Sequence, residues 1–468
     1  MKNLVLVPEA LIAVWAVILL LGGQFGWVTP PARRYLPAAT ALLVLIALAF
    51  ELWAGATLST YFGGGMIQDR FALFAKAAVL LAAAIAFAAM DWTAEDSLSM
   101  GMAMPLLAVL GVMVAASSGD LIGLWAGLEL AAAAAVVMVS LRRPDLGLRL
   151  LLTGGVASAL LLTGLAFLYA LAGTFDLAAM RQVFFGGAPT LAFAIPVFLL
   201  ITGLAMRATV APFQLGGIPA SLGASPMGAG LLLGLVAAAS TIVAIKVVAA
   251  LTPIPPMFSP YLEVIAAVAM VGGGAAALAV RAPRTRISYL AAGQIGWVAA
   301  GLVTHYRAGV AGSLFLLGAF AVAATCGPAV MGRAEGGAAA WAGMGGMRPA
   351  RAAGVALAVL SLAGVPPLAG FFGEFAVAAA LAQSGHFALL ALGLLGSALS
   401  LAAAAATLRL IYVQSPLEDA RRGSALPVLT RLSSAGAVAL CVVIAAYGLF
   451  SSPILGLADQ GAKALGLR

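Results

Sequence analysis

The sequence predicts an all-α polytopic membrane protein of about fourteen transmembrane helices, with two inverted five-helix repeats and breaks in helices seven and twelve. Three observations carry that prediction. The chain is 64% hydrophobic and 9% charged, against about 25% charged in ordinary globular proteins. Apolar runs of about 20 residues, the length that crosses a bilayer, recur along the whole chain. Two of those runs, roughly 160 residues apart, are interrupted by Pro and Gly beside an ionisable residue, the pattern of a transporter-type repeat.

The spans fall at about 4–22, 35–56, 71–90, 100–118, 121–141, 149–172, 190–213, 226–250, 260–281, 286–304, 309–332, 351–382, 386–414 and 430–456. The first could pass for a signal peptide, but Glu9 inside it and the lack of a small-x-small cleavage site argue for a span. Connections are short, the longest being 173–189, 333–350 and 415–429. The seventh span ends VAPFQLGGIP, with Pro212 and Pro219. The twelfth is interrupted at GVPPLAGFFGEF by Pro366, Pro367, Gly370 and Gly373. Proline removes a backbone donor, and at membrane depth the freed carbonyls need protein or water partners. These breaks divide the chain into an N-terminal three-helix segment (1–95), two five-helix repeats (96–250 and 251–414) and a C-terminal helix and tail (415–468). An odd number of helices per repeat makes equivalent helices run in opposite senses.

Orientation follows from the loop cations. Alternate loops hold Arg33, Arg34, Arg142, Arg143, Arg149, Arg281, Arg284, Arg286, Arg333, Arg348, Arg351, Arg421, Arg422 and Arg431, against Lys2, Arg70, Arg181, Arg307, Lys463 and Arg468 on the other side. The first set marks the cytoplasm, so both termini lie on the opposite, outer side of the membrane. The net charge of +8 is spread between apolar runs and is not a nucleic-acid signal.

Charges inside the spans are the candidate functional residues, because each costs about 3 kcal/mol or more in lipid. Glu129 lies near the middle of the fifth span, and Asp120 before it reads as that helix's N-cap. Arg207 sits in the seventh span, where Pro212 should open the helix and admit water. Glu374 follows the twelfth-span break and could also stabilise the start of the half-helix there. Lys76 and Lys246 lie close enough to span ends to snorkel. Glu9 suits the first turn of a helix. Glu263 and Arg409 read as interfacial, and His305 and His386 flank spans. Cys326 and Cys441 form no CxxC pair and have no His at ligand spacing. There is no phosphate loop, dinucleotide fingerprint or HExxH. No cofactor or metal is expected, and buried charges in broken helices point to ion or proton conduction.

LVPEALIAVWAVILLL, FALFAKAAVLLAA, LGVMVAASSGDLIGLWAGLEL, ALLLTGLAFLYALAGTFDLAAM, GLAMRATVAPFQLGGIPASLGAS and SLAGVPPLAGFFGEF resemble segments of the antiporter-like membrane subunits of respiratory complex I, most closely the subunit N branch. The resemblance covers nearly the whole chain. It implies the fourteen-helix inverted-repeat fold, a non-redox role in proton translocation, lipid contact, and assembly with other polytopic and peripheral subunits. It places Glu129 on the family's proton-channel glutamate and Lys76 on a family lysine. Several positions depart from that pattern. Arg207 stands where the family has lysine, and Gln214 and Gly216 stand where it has His and Trp. The eighth-helix lysine has no clear counterpart, with Thr241 nearest and Lys246 five residues on. Gln294 lies close to a family histidine, and Glu374 replaces the subunit N lysine with the subunit M glutamate. Arginine does not release a proton as a buried lysine does, so Arg207 beside Glu129 would act as a fixed positive charge. A related membrane hydrogenase or dehydrogenase complex, a cation/proton antiporter complex, or a scaffold subunit that has lost conduction are the alternatives.

Overall fold

The computed structural model describes residues 5–27, 30–54, 58–90, 92, 97–185, 194–251, 259–332, 340–415 and 427–467. Lys2, Arg333, Arg421, Arg422 and Arg468, counted above as loop charges, lie outside the described residues.

The first three helices are α1 (Val7–Gln24), α2 (Pro30–Ala54) and α3 (Arg70–Ala89), with a hairpin of β1 (Ser59–Tyr61) and β2 (Met66–Gln68) between the last two. Sequence reading placed no strand there. The hairpin is held by tertiary pairing: Met66 bridges to Ser118, and the Gly119 N–H donates to the Gly65 carbonyl. Next come α4 (Leu98–Ser117), α5 (Leu121–Ser140) and α6 (Pro144–Ala172). Asp69 and Asp120 cap α3 and α5 through N–H groups three residues on, at 2.8 and 2.6 Å, satisfying donors a helix start leaves orphaned.

The connection expected over 173–189 contains a helix, α7 (Leu177–Phe185). Asp176 caps it through Ala179 N at 2.7 Å, and Met180 and Phe184, one turn apart, are buried. The seventh span ends earlier than the sequence suggested. Helix α8 (Ala194–Arg207) stops five residues before Pro212, because Thr209 takes a left-handed φ of 58°, and the chain turns into α9 (Gly217–Gly223). Arg207 therefore ends its helix instead of lying deep inside it. Helix α10 (Pro226–Gly230), a π-helical turn (Leu231–Val236) and α11 (Ala237–Leu251) form one span.

Helices α12 (Ser259–Ala279), α13 (Pro283–Val303) and α14 (Arg307–Met331) follow. Helix α14 is buried from Gly309 to Met331 and is the post around which the fold is packed. Arg286 and Arg351 were counted as loop charges, yet both are buried. Arg286 caps carbonyls of Ala277 and Val280 at the end of α12 and reaches Thr407, while Arg351 donates to Ser433 at 2.7 Å.

A short turn, α15 (Met344–Met347), leads into α16 (Pro349–Leu362), the break, α17 (Ala369–Gln383) and α18 (Phe387–Tyr412). The last expected span, 430–456, is two helices, α19 (Pro427–Leu449) and α20 (Ser451–Ala464). Pro453 has no N–H for the Leu449 carbonyl, which ends α19 there. Helix α20 returns along α3 and α14, with Arg307 paired to Asp459.

Eleven helices among the described residues are long and apolar enough to cross a membrane, and α8, α16 and α17 are shorter apolar helices. Their exposed sides carry Val14, Leu42, Leu151, Phe167, Val264 and Leu394, an outward apolar surface.

Candidate functional site

Two polar clusters sit at the two helix breaks. In the first, Arg207 is the last residue of α8, where a cation also suits the helix dipole. Its Nη2 donates to Glu129 Oε1 and Oε2 at 2.5 and 2.6 Å. Ser158 on α6 donates to Glu129 and accepts from Arg207, closing a triangle across α5, α6 and α8. The Arg207 side chain is 8% exposed and that of Glu129 27%. Burying this pair is tolerable because each charge neutralises the other. Gly154 on α6 makes room, since a Cβ there would stand 2.9 Å from Arg207 Nη1. A cavity of about 130 Å³ lies against Arg207, lined also by Thr153, Thr209, Pro212, Phe213 and Gly216.

In the second cluster, Glu374 is buried on α17, six residues into that helix and beyond the turn where a carboxylate simply supports a helix start. Its oxygens accept from Gln294 Nε2 on α13 at 2.5 Å and Ser397 Oγ on α18 at 2.6 Å. Gln294 Nε2 also donates to the Leu362 carbonyl at 2.9 Å, which fixes the amide's orientation, and Trp297 Nε1 donates to Ser397 at 3.0 Å. Gly364, at φ 68° in the break, has no Cβ; one there would lie 2.4 Å from Glu374 Oε2. Among the described residues no Lys or Arg pairs with Glu374.

Between the clusters lies a cavity of about 60 Å³. Ala208 and Val210 border it on the Arg207 side, Ile295 and Val298 on the Gln294 side, and its lining holds no ionisable residue. Its hydroxyls, Ser240 and Thr241, donate to carbonyls of their own helix at 2.9 and 2.8 Å. A cavity so lined offers water too few partners to be held.

The remaining candidates are elsewhere. Lys246 is buried on α11 and does not reach the surface; its Nζ donates to the Ser118 carbonyl at 2.7 Å and stands 5.4 Å from the Phe71 ring centroid. Lys76, also without a route to solvent, pairs with Glu9. Glu263 lies 3.3 Å from His386 at the periphery. Sequence reasoning singled out neither Ser158, Ser397 and Gly364 nor Glu51, which packs beside Lys76. Glu51 carried the same signal as Glu129, a carboxylate inside an apolar run.

A polytopic helical bundle that holds a half-buried and a buried carboxylate against partners brought in at its helix breaks belongs to an ion-translocating class of membrane protein. A sequence profile of the NADH:quinone oxidoreductase/Mrp antiporter transmembrane family matches residues 118–400. NADH-quinone oxidoreductase subunit N of Rhodospirillum rubrum is 31% identical, over 98% of this chain and 96% of the relative. That of Granulibacter bethesdensis is 30% identical, over 98% of both. Among solved structures, a chain of respiratory complex I from Thermus thermophilus superimposes with a TM-score of 0.80 at 25% identity, covering 97% of this chain and 99% of that one. A chain of the Mrp complex from Dietzia sp. shares the fold, with a TM-score of 0.79 at 19% identity over 98% and 97%. The chain belongs to the NADH:quinone oxidoreductase/Mrp antiporter family.

Proposed function

We propose that this antiporter-like subunit translocates protons within a complex-I-type assembly, without redox chemistry of its own. The observation that carries the reading is the Glu129–Ser158–Arg207 triangle at the end of a broken span, beside a cavity of about 130 Å³. A carboxylate held by a permanent cation that borders a cavity changes its proton affinity whenever that pair is stretched. Glu129, Glu374, Lys76 and Lys246 are the titratable members of the path, and Arg207 is its fixed charge.

The finer architecture belongs to the same reading. Fourteen spans result if α8, α13 and the α16–α17 pair are added to the eleven long apolar helices. Two facts support paired repeats over 96–250 and 251–414, between the three-helix segment 1–95 and the closing residues 415–468. Each repeat opens on two helices whose backbones touch through glycine, Gly111 on Gly127 and Gly273 on Gly293, the close approach small residues allow in lipid. Each also contains one break that holds a buried carboxylate's partner or blocking glycine. With both termini periplasmic, the cavity beside Arg207 faces the cytoplasmic end of α6. Partners are further polytopic and peripheral subunits, as in the multisubunit complexes of the structural relatives, and bacterial inner-membrane lipid.

The dry cavity between the clusters favours a second reading, a scaffold in which no proton crosses from one half to the other. Protons moved per electron pair in the assembled complex separate the two. Glu129→Gln lowers that ratio if the subunit conducts and leaves it unchanged if it is scaffold. Arg207→Lys lowers it if the path is built around a permanent charge and raises it if arginine closed an older route.

A further inference from the structure

Outside both repeats, four polar side chains from four elements meet under the hairpin: Glu9 (α1), Glu51 (α2), Gln68 (β2) and Lys76 (α3). They are 8%, 1%, 2% and 0% exposed. Lys76 Nζ donates to Glu9 Oε1, and to Gln68 Oε1 at 2.7 Å. Gln68 Nε2 donates in turn to Glu51 Oε1 at 2.6 Å, and Lys76 Nζ lies 3.9 Å from Glu51 Oε2. The other oxygens, Glu9 Oε2 and Glu51 Oε2, are buried with no hydrogen-bond partner.

The charge count does not close. Two carboxylates face one ammonium, so with every group ionised the cluster carries an uncompensated negative charge out of reach of water. Such a charge costs several kcal/mol. A further buried cation, Lys246 on α11, is spent on the Ser118 carbonyl and stands among Asp69 and Asp120. On the other elements packed against α1, α2 and α3, Arg307 of α14 is paired with Asp459 of α20, and Arg431 and Lys463 are exposed. One added proton on a carboxylate oxygen brings the cluster to neutrality and supplies a donor where two acceptors have none. A metal ion is a poor fit, because the Lys76 ammonium already occupies the position between the Glu9 and Gln68 oxygens.

We propose that Glu9, Glu51 and Lys76, oriented by Gln68, form a third proton-binding site in the N-terminal segment, holding one exchangeable proton between the two carboxylates. Uptake forms one O–H bond and takes the cluster from net −1 to neutral; release reverses it. The hairpin that supplies Gln68 also bridges to Ser118, whose carbonyl holds Lys246, so the site is tied by backbone to the start of α5 and Glu129's helix. The site depends on neither Glu129 nor Glu374, and its test needs no turnover.

The test is infrared difference spectroscopy of the purified assembled complex after a pH change, reading the protonated-carboxyl C=O band. Glu9→Gln and Glu51→Gln should each remove one carboxyl's worth of band, because a single remaining carboxylate balances Lys76 and needs no proton. Glu129→Gln should leave that component in place, even if it abolishes pumping. Glu9→Asp and Glu51→Asp keep the charge count and protect folding, and at least one of them should shift the band. A component unchanged in both Gln variants, unshifted in both Asp variants, or responsive to sodium at fixed pH overturns the proposal.

Discussion

The two breaks solve one problem in two ways. The first brings Arg207 to the half-buried Glu129, and the second brings the buried Glu374 against α13 and α18. At the first, Arg207 cancels the charge of Glu129 directly, with both oxygens within 2.6 Å of one guanidinium nitrogen. At the second, Glu374 accepts, among the described residues, from neutral donors alone, Gln294 and Ser397. Adding a proton to Glu129 breaks an ion pair and strands a cation. Adding one to Glu374 removes a net charge and can be met by turning the Ser397 hydroxyl. A buried acid is therefore not one kind of site, and its partner decides whether protonation is opposed or accommodated.

The comparison breaks most sharply on charge removal. Glu129→Gln leaves a buried guanidinium unpaired and should destabilise the chain by about 3–5 kcal/mol, seen as a lower unfolding midpoint in detergent. Adding Arg207→Met to Glu129→Gln should recover most of that loss. Glu374→Gln keeps an acceptor for Gln294 and strands no ion, so it should cost only about 1 kcal/mol. Equal losses at the two sites would mean that Glu374 has a charged partner after all.

The glycines sharpen it at intermediate scale. Gly364→Ala meets both a left-handed φ of 68° and the Glu374 carboxylate, and should cost about 1–3 kcal/mol. Gly154→Ala meets only the movable end of Arg207 in an ordinary helix, and should cost less than about 1 kcal/mol. Thermal unfolding of the two variants in one detergent checks the order.

The charges within apolar runs and the helix breaks were legible in the sequence because both violate strong rules: ions do not enter hydrocarbon unpaired, and proline does not sit inside a continuous helix. Glu129 and Glu374 stood out on the first rule, and the break at Pro366 and Pro367 on the second. Partners were less legible. Ser158 and Ser397 are ordinary residues in their own helices and acquire a role only when α6 and α18 are brought alongside. Glu51 obeyed the same rule as Glu129 but lies near a span end, where a charge ordinarily reaches water; here the hairpin covers it. Thr209 sets the end of α8 through a backbone conformation that composition does not report, so Arg207 seemed deeper in its helix than it is.

The smallest expected effect belongs to an ion pair of the same chemistry with both partners exposed. Arg143 and Asp145 meet at 2.8 Å at the start of α6 with side chains 55% and 59% exposed. The hydrogen bond from Arg143 holds the Asp145 carboxyl below its ordinary value, and Asp145 likewise raises Arg143. A depressed carboxylate contributes stability above its unfolded-state value and loses it as pH falls through the folded one. With both groups in water, the attraction is screened and the ordering of two long side chains opposes it. Arg143→Ala should therefore barely move the unfolding midpoint at neutral pH and flatten the acid-side slope only slightly. A loss approaching that of Glu129→Gln would show that position relative to the hydrocarbon does not set the worth of an ion pair in this chain, and the contrast between the two breaks would have to be explained by geometry alone.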